Sequence, residues 1–244
     1  MITILHTNDF HDKLTEAQAG RLRLMRAELA GNGLLFDAGD AVASGNVTFR
    51  VGGELVHDLM NSAGYDVSAV GNREFHFSRL GFQTKLSRAE FPHLCANVVG
   101  TDRSGDVPTK PYHLFTVSGK RIFAFGLTVP MITERMLSRK VSSFVFAEPV
   151  KVAEEWVSKW REEFQPDLVV AITHIGLSRD RVLAERVGGI DLIIGGHSHD
   201  RLEEGERIGD TLIVQTGCYG KAVGAVEIDF VEGRPVLRSR LEAL

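Results

Sequence analysis

Asp9-x-His11, Gly39-Asp40, Gly71-Asn72, His174 and Gly196-His197-x-His199 are the positions of this chain whose types and spacing could do chemistry. Each follows a run of apolar, strand-forming residues. Carboxylate, amide and imidazole donors without a thiolate suit divalent Mn, Fe, Co, Ni or Zn better than Mg or Ca, with Mn favoured. An Asp and a His two apart place their side chains on the same side of an extended strand end, so Asp9 and His11 would hold a first ion. Asp40, with two carboxylate oxygens, can bridge to a second. Asn72, His174 and His197 would complete that second ion, and His199, two residues on, returns to the first. Two such cations clamp a phosphoryl group around a shared hydroxide for in-line displacement. Each piece alone is weak: an isolated Asp-x-His is common, and a lone histidine at a strand end can cap a helix. Together, with glycines beside Asp40, Asn72 and His197 where backbone must crowd a site, they describe one two-metal centre.

The elements that must position these residues follow from hydrophobic periodicity. A first strand, Ile2 to Thr7, leads to a helix over Glu16 to Ala30, where Leu22, Met25 and Leu29 share one face and Arg21, Arg23 and Arg26 can face solvent. A second strand, Leu34 to Ala38, delivers Gly39-Asp40. A helix from Glu54 to Ala63 closes on Gly64 as a C-cap, and a third strand, Asp66 to Val70, delivers Gly71-Asn72. A short helix and a strand containing Cys95 come next, and the polar stretch from Thr101 to Asp106 reads as a surface loop. Tyr112 to Val117 and Arg121 to Leu127 flank Ser118-Gly119 as a hairpin. Ala153, Trp156, Val157, Trp160 and Phe164 form the buried stripe of a later helix. Asp167 to Thr173 delivers His174, Asp191 to Ile194 delivers Gly196-His197, and three strand-like runs finish the chain. Strands alternating with helices argue for α/β layers. Open α/β sheets bind ligands beyond the carboxyl ends of their strands, so five such deliveries converge on one edge.

The 244 residues suit one large α/β domain, and neither an internal repeat nor a linker divides them. A formal charge of −4 argues against a nucleic-acid partner, which would need a basic face. Cys95 and Cys218 make no disulfide framework in a chain of this length, and Cys95 reads as a buried thiol. No apolar stretch approaches a membrane span. Met1 leads straight into the first strand without a signal peptide, so the expectation is a cytoplasmic protein whose domain starts at its first residue. His6, mid-strand, reads as a satisfied core residue; His57, His93 and His113 match no ligand position.

The segments Ile4-Leu5-His6-Thr7-Asn8-Asp9-Phe10-His11, Asp37-Ala38-Gly39-Asp40, Gly71-Asn72-Arg73-Glu74-Phe75 and Ile193-Ile194-Gly195-Gly196-His197-Ser198-His199 resemble the catalytic domain of the 5′-nucleotidase branch of the calcineurin-like metallophosphoesterases. Ala96-Asn97-Val98 and the run from Gln215 to Lys221 support the likeness, which covers essentially the whole chain. The resemblance implies a four-layer α/β/β/α sandwich with a dinuclear site between the sheets. It also marks two departures. Members of that branch typically carry a second, base-selecting domain at the C-terminus. Here residues 1–244 read as the single catalytic domain without it. The branch's Gly-Asn-His-Glu-Phe-Asp signature supplies a histidine oriented by an aspartate, and those two positions are here Arg73 and His76.

Arginine donates no proton near neutral pH, yet it can grip phosphate oxygens bidentately and stabilise charge developing on them. In one reading Arg73 is therefore a transition-state clamp. Substrates would then be ones whose leaving group needs little protonation, such as pyrophosphates or cyclic and activated diesters. UDP-diacylglucosamine pyrophosphohydrolases, from another branch, resemble this chain in having Gly-Asn-Arg followed by an acidic residue and phenylalanine. His76 could be a general acid, an outer donor, a substrate contact or a plain surface residue. The expected function is a dinuclear phosphohydrolase acting on a small, nucleotide-like phosphoester or phosphoanhydride. The alternatives are a catalytically weakened metal-binding regulatory module and a hydrolase of cyclic, diester or sulfur-ester substrates.

Overall fold

The computed structural model of the protein describes residues 1–101 and 105–244, so residues 102–104 of the expected polar loop lie outside the described residues. Two six-stranded sheets form its centre. In the first, β1 (Ile2–Thr7), β2 (Gly33–Asp37), β3 (Val67–Ala69) and β4 (His93–Leu94) run parallel, and β13 (Ala222–Val231) and β14 (Arg234–Ala243) extend the β1 edge antiparallel. In the second, β7 (Lys120–Thr128), β9 (Leu168–His174), β10 (Leu192–Ile194) and β12 (Thr211–Val214) run parallel between antiparallel edges β6 (Tyr112–Val117) and β11 (Glu206–Ile208). A small antiparallel pair, β5 (Val98–Gly100) with β8 (Phe144–Phe146), lies apart from both.

Both faces of each sheet are covered, which explains the continuous apolar runs along the parallel strands. Ile4, Phe36 and Val67 of the first sheet meet Ala124, Val170, Ile172 and Ile194 of the second in the central layer. The strand period of two sends the alternate residues outward. Leu5 and Leu35 pack on Leu22 of α1 (Glu16–Glu28) and Met60 of α2 (Val56–Ala63). Phe123, Val169 and Ile193 pack on Val157 and Trp160 of α4 (Pro149–Phe164) and Leu183 of α5 (Leu177–Arg186). The order is α/β/β/α, the architecture the resemblance implied.

Local chemistry sets the helix ends. Thr15 and Gln18 form a reciprocal capping box that starts α1, Ser78 caps α3 (Arg79–Leu86), and Glu148 with Pro149 at the first turn starts α4. α2 stops where Gly64 turns left-handed, with φ 82°.

Three readings of individual residues change. Arg26 does not face solvent: it pairs with Asp66 at 2.7 Å and donates to the carbonyls of Gly64 and Gly33, tying α1 to the turns around β2 and β3. Trp156 is 41% exposed, stacked on the buried Trp160 and covered by Lys159, so only one of the two tryptophans is core. His6 is fully buried, but neither ring nitrogen has a hydrogen-bond partner among the described residues. Its ring lies against Gly224, its partner across the β1–β13 ladder, where an added Cβ would fall 2.0 Å from Nε2.

Burial without a partner pushes the His6 pKa down to about 3, and burial likewise lowers His57 and His93. A histidine whose folded pKa lies below its unfolded value of about 6.5 contributes full stability above that value and loses it as pH falls toward the folded pKa. For His6 alone the loss at pH 5 is about 2 kcal/mol. Urea unfolding at a series of pH values should therefore show stability falling below pH 6.5. His6→Leu should flatten that slope, and an unchanged slope would mean the ring is charged or solvated in the folded protein.

Candidate metal centre

The carboxyl ends of β1, β2 and β3 in one sheet and β9 and β10 in the other meet at a common edge, and all seven predicted ligand residues lie there. They form two groups of converging atoms. In the first, His199 Nε2 lies 3.2 Å and His11 Nε2 3.5 Å from Asp9 Oδ1, and the two imidazole nitrogens are 3.0 Å apart. Asp9 is fully buried, and its Oδ1 has no hydrogen-bond partner among the described residues, although Oδ2 accepts from Asn8 and from the His197 backbone N–H. A buried carboxylate oxygen left bare beside two imidazoles fits a cation.

In the second group, Asn72 Oδ1 lies 2.9 Å from His197 Nδ1 and 3.2 Å from His174 Nε2, which is itself 3.4 Å from Asp40 Oδ1. His174 Nδ1 donates to the Ala38 carbonyl at 2.8 Å, which leaves Nε2 facing the oxygens of Asn72 and Asp40. Lone pairs that converge in this way need a positive charge among them. Burial opposes charge on His174, yet the carboxylates of Asp40, Asp9 and Glu74 outweigh it and raise its pKa well above the ordinary value. The same field would hold a divalent ion with the imidazole neutral. Asp9, Asp40 and His174 also come together as one set, so Asp9 stands in both groups, while Asp40 approaches the first only at 4.0 Å from His11 Nδ1.

The route by which the residues arrive differs from the strand alternation expected for Asp9-x-His11. Asp9, His11, Asp40, His197 and His199 all have positive φ, from 50° to 78°. β1 has ended at Thr7, and the ligands project from left-handed turns in which Asp9 N–H donates to Gly39 and His11 N–H to Asp40. Asp, Asn and His tolerate this region better than other non-glycine residues, and such strain gathers at functional sites. The loops of β2 and β3 cross backbone to backbone, since a Cβ on Gly39 would meet the Gly71 nitrogen at 2.6 Å.

Three supporting residues had no role assigned from sequence. Asn8 bridges the sheets: its amide donates to Asp9 Oδ2 and the Gly217 carbonyl, and its Oδ1 accepts from Thr216. Glu74, fully buried, accepts the N–H groups of Asp40, Gly71 and Val42 and so locks two ligand loops together. Lys85 is buried on α3 and donates to carbonyls of Ser44, Gly45, Arg73 and Phe75. Asn8 and Glu74 stand inside the segments that carry the resemblance, and Lys85 left a signal as a charge on the helix face shared with Phe82 and Leu86.

The two residues that depart from the family signature are placed differently from each other. Arg73 sits at the rim, with its backbone N–H on Asp40 Oδ1, Nε 3.6 Å from Asp40 Oδ2 and one guanidinium nitrogen on the Ala43 carbonyl. The structure does not bring His76 to the cluster. Its Nδ1 lies 3.0 Å from the Ser78 N–H and 2.9 Å from Ser78 Oγ at the start of α3, its ring stacks on Phe77, and Phe49 meets it edge-on.

The profile of the family described as calcineurin-like phosphoesterase matches residues 2–201. The chain is 32% identical over 272 residues to the trifunctional nucleotide phosphoesterase protein YfkN of Bacillus subtilis, covering 95% of this chain and 18% of that protein. It is 28% identical over 273 residues to a 5′-nucleotidase of Vibrio cholerae, covering 95% of this chain and 49% of that one. A crystal structure of a 5′-nucleotidase precursor from Thermus thermophilus superposes with a TM-score of 0.79 at 24% identity, over all of this chain and 54% of that one. The chain thus spans about half the length of the nucleotidase relative, and less than a fifth of the trifunctional one.

Asn8 orients Asp9 without itself facing a metal group. Outer partners of this kind change metal affinity by roughly 10–100-fold. Asn8→Ala should weaken manganese binding by at least about tenfold, read by isothermal titration calorimetry on protein shown to be folded by circular dichroism. Wild-type affinity in that variant would remove Asn8 from the support of the centre.

Proposed function

The chain belongs to the calcineurin-like phosphoesterase family, and on that premise we propose that it is a dinuclear, metal-dependent phosphohydrolase acting on a nucleotide-like phosphoester or phosphoanhydride. The observation that carries the reading is the pair of converging donor groups, Asp9 with His11 and His199 and Asp9 with Asp40 and His174, that share Asp9. Asp9, His11 and His199 would hold one divalent cation, and Asp40, Asn72, His174 and His197 the other. Divalent ions bound there would neutralise charge on the phosphoryl oxygens and lower the pKa of water.

The protein's own groups do the rest. Asn8 and the His197 N–H orient Asp9, and the Ala38 carbonyl fixes the tautomer of His174. Glu74 keeps the Asp40 and Asn72 loops in register. Arg73 offers its remaining guanidinium N–H groups at the open side, where they can meet the oxygens of a phosphoryl group as charge builds on them. With His76 turned into the α3 cap, the signature loop holds no imidazole aimed at the leaving group. The products that depart most readily are therefore stable anions. Nucleotides are the leading substrate class because the YfkN and 5′-nucleotidase relatives carry that chemistry in their names.

A panel of nucleotides, cyclic nucleotides, dinucleotide pyrophosphates and aryl phosphodiesters, assayed on manganese-reconstituted protein, tests the proposal. At least one should turn over, and Asp40→Asn and His174→Ala should abolish it. No hydrolysis of any member across the metals named would leave a non-catalytic metal-binding module as the better account. Arg73→Ala should lower kcat by roughly 10²-fold with the metal content retained. Unchanged kcat would remove Arg73 from the transition state.

A further inference from the structure

Segments that run on from Arg73 and from the end of β7 build an apolar recess of about 270 Å³, lined mainly by Val47, Phe75, Phe77, Met131, Ile132 and Val141. Asn46 and Ser138 are its polar edge. Three chain segments make it, and two are the segments that shape the centre. Phe75 is two residues from Arg73, so their Cα atoms are no more than about 7 Å apart. Asn46 is three residues from Ala43, whose carbonyl holds the Arg73 guanidinium. The third segment leaves β7 beside the ligand His174, where the Val129 N–H donates to the His174 carbonyl, and then carries Met131 and Ile132.

The walls of the recess are held. Asn97 clasps the base of the third segment, donating to the carbonyls of Thr128 and Ala147 and accepting the Thr128 N–H. Ser143 N–H and Ser142 Oγ both donate to the Phe77 carbonyl, and the Phe146 N–H donates to Ile132. His76 stacks on Phe77 with ring centroids 4.7 Å apart. The residue that stands apart from the metal groups thus backs one wall of this recess. The rim stays apolar where water meets it: Val47 is 73% and Val141 72% exposed. A cavity of about 150 Å³ already accepts benzene, so this one has room for a ring and substituents.

We infer that the recess is a leaving-group pocket, taking an aromatic or similarly flat apolar group esterified to a phosphoryl group held at the metal centre. The inference rests on the metal-dependent hydrolase reading above and, beside its nucleotide substrates, adds aryl phosphoesters as a class. Hydrolysis forms one P–O bond from water and breaks the P–O bond to the ring oxygen. The bonding pair departs with that oxygen as an aryl oxide, the attacking water gives up a proton to solvent, and the oxide regains one from solvent. An aryl oxide needs no protein acid to depart, which fits a loop that carries arginine where a proton donor would stand. The pocket and the missing acid select the same kind of leaving group.

The test compares phenylphosphonate with methylphosphonate, non-hydrolysable probes with the same anionic head, by calorimetry on the full chain loaded with manganese. Burying the ring should make phenylphosphonate bind at least about tenfold tighter. Val47→Glu and Val141→Trp, both at exposed positions and so compatible with folding, should bring the ratio of the two affinities close to one. Equal affinities in the wild type, or a ratio that neither variant moves, would overturn the pocket. So would sedimentation showing that the wild type self-associates and that both variants abolish it, because the face would then be an interface between copies. If the phosphonate ratio behaves as expected while no ester in the substrate panel is hydrolysed, the hydrolase reading fails and the binding pocket stands.

Discussion

The structure depends on burying three carboxylates, Asp9, Asp40 and Glu74, at the junction of two sheets. Anions out of water must be met by donors or cations, and the chain meets these in different ways. Glu74 is met entirely by backbone, with three N–H groups from the loops it holds. Asp9 and Asp40 are met only in part. Asn8, the His197 N–H and the Arg73 N–H account for some of their oxygens, and imidazoles surround the rest. The surrounding architecture can be read as keeping that surplus of negative charge in place. The Gly39–Gly71 crossing lets the two loops approach, and the capped α3 presents Lys85 to the carbonyls behind Arg73. Burial draws the Lys85 pKa down to about 8, while Glu74 foremost among nearby carboxylates pulls it back up, so the ammonium belongs to the same balance of charge.

The candidate ligand residues reach this junction through conformations that most residues avoid. Five of the seven sit at positive φ, which adds strain that packing and hydrogen bonds must offset. The advantage is preorganisation, because a left-handed residue just past a strand aims its side chain back across the sheet edge instead of along it. Two stacked sheets can then contribute to one centre. A single sheet with alternating side chains would spread the same donors over two faces.

Much of this was legible in the sequence, for identifiable reasons. The parallel strands are buried on both faces and so stand out as apolar runs; β1 matches its expected range, and β2, β3, β9 and β10 agree within a residue or two. The ligand residues stand out because polar types at the ends of such runs have few structural explanations. What stayed hidden depends on partners distant in the chain. Asn8 reads as one more polar residue until Thr216 and Gly217 arrive beside it, and Arg26 reads as a solvent-facing charge until Asp66 does. The β1 run puts His6 inside, but periodicity cannot show that its ring would meet Gly224 and find no hydrogen-bond partner among the described residues. The short strands β5, β8 and β11 have three residues each, too few for alternation to register. His76 illustrates the same limit: its position in a signature motif suggested chemistry, whereas its geometry is decided by Ser78 and Phe77.

Asn97 has a consequence that extends past the protein's present shape. One amide closes the base of everything between Thr128 and Ala147, bonding to both ends of that excursion and to neither metal group. The excursion is tied again along β8 to β5 and through Ser142 and Ser143 to Phe77, so it is its tip, before Ser142, that stands clear of those bonds. Lengthening, shortening or recolouring its tip leaves the neck and the sheets undisturbed, while changing what stands over the signature loop. Evolution and protein engineers are thereby offered an exchangeable cassette, in which selectivity can drift while the charged junction beneath stays as it is.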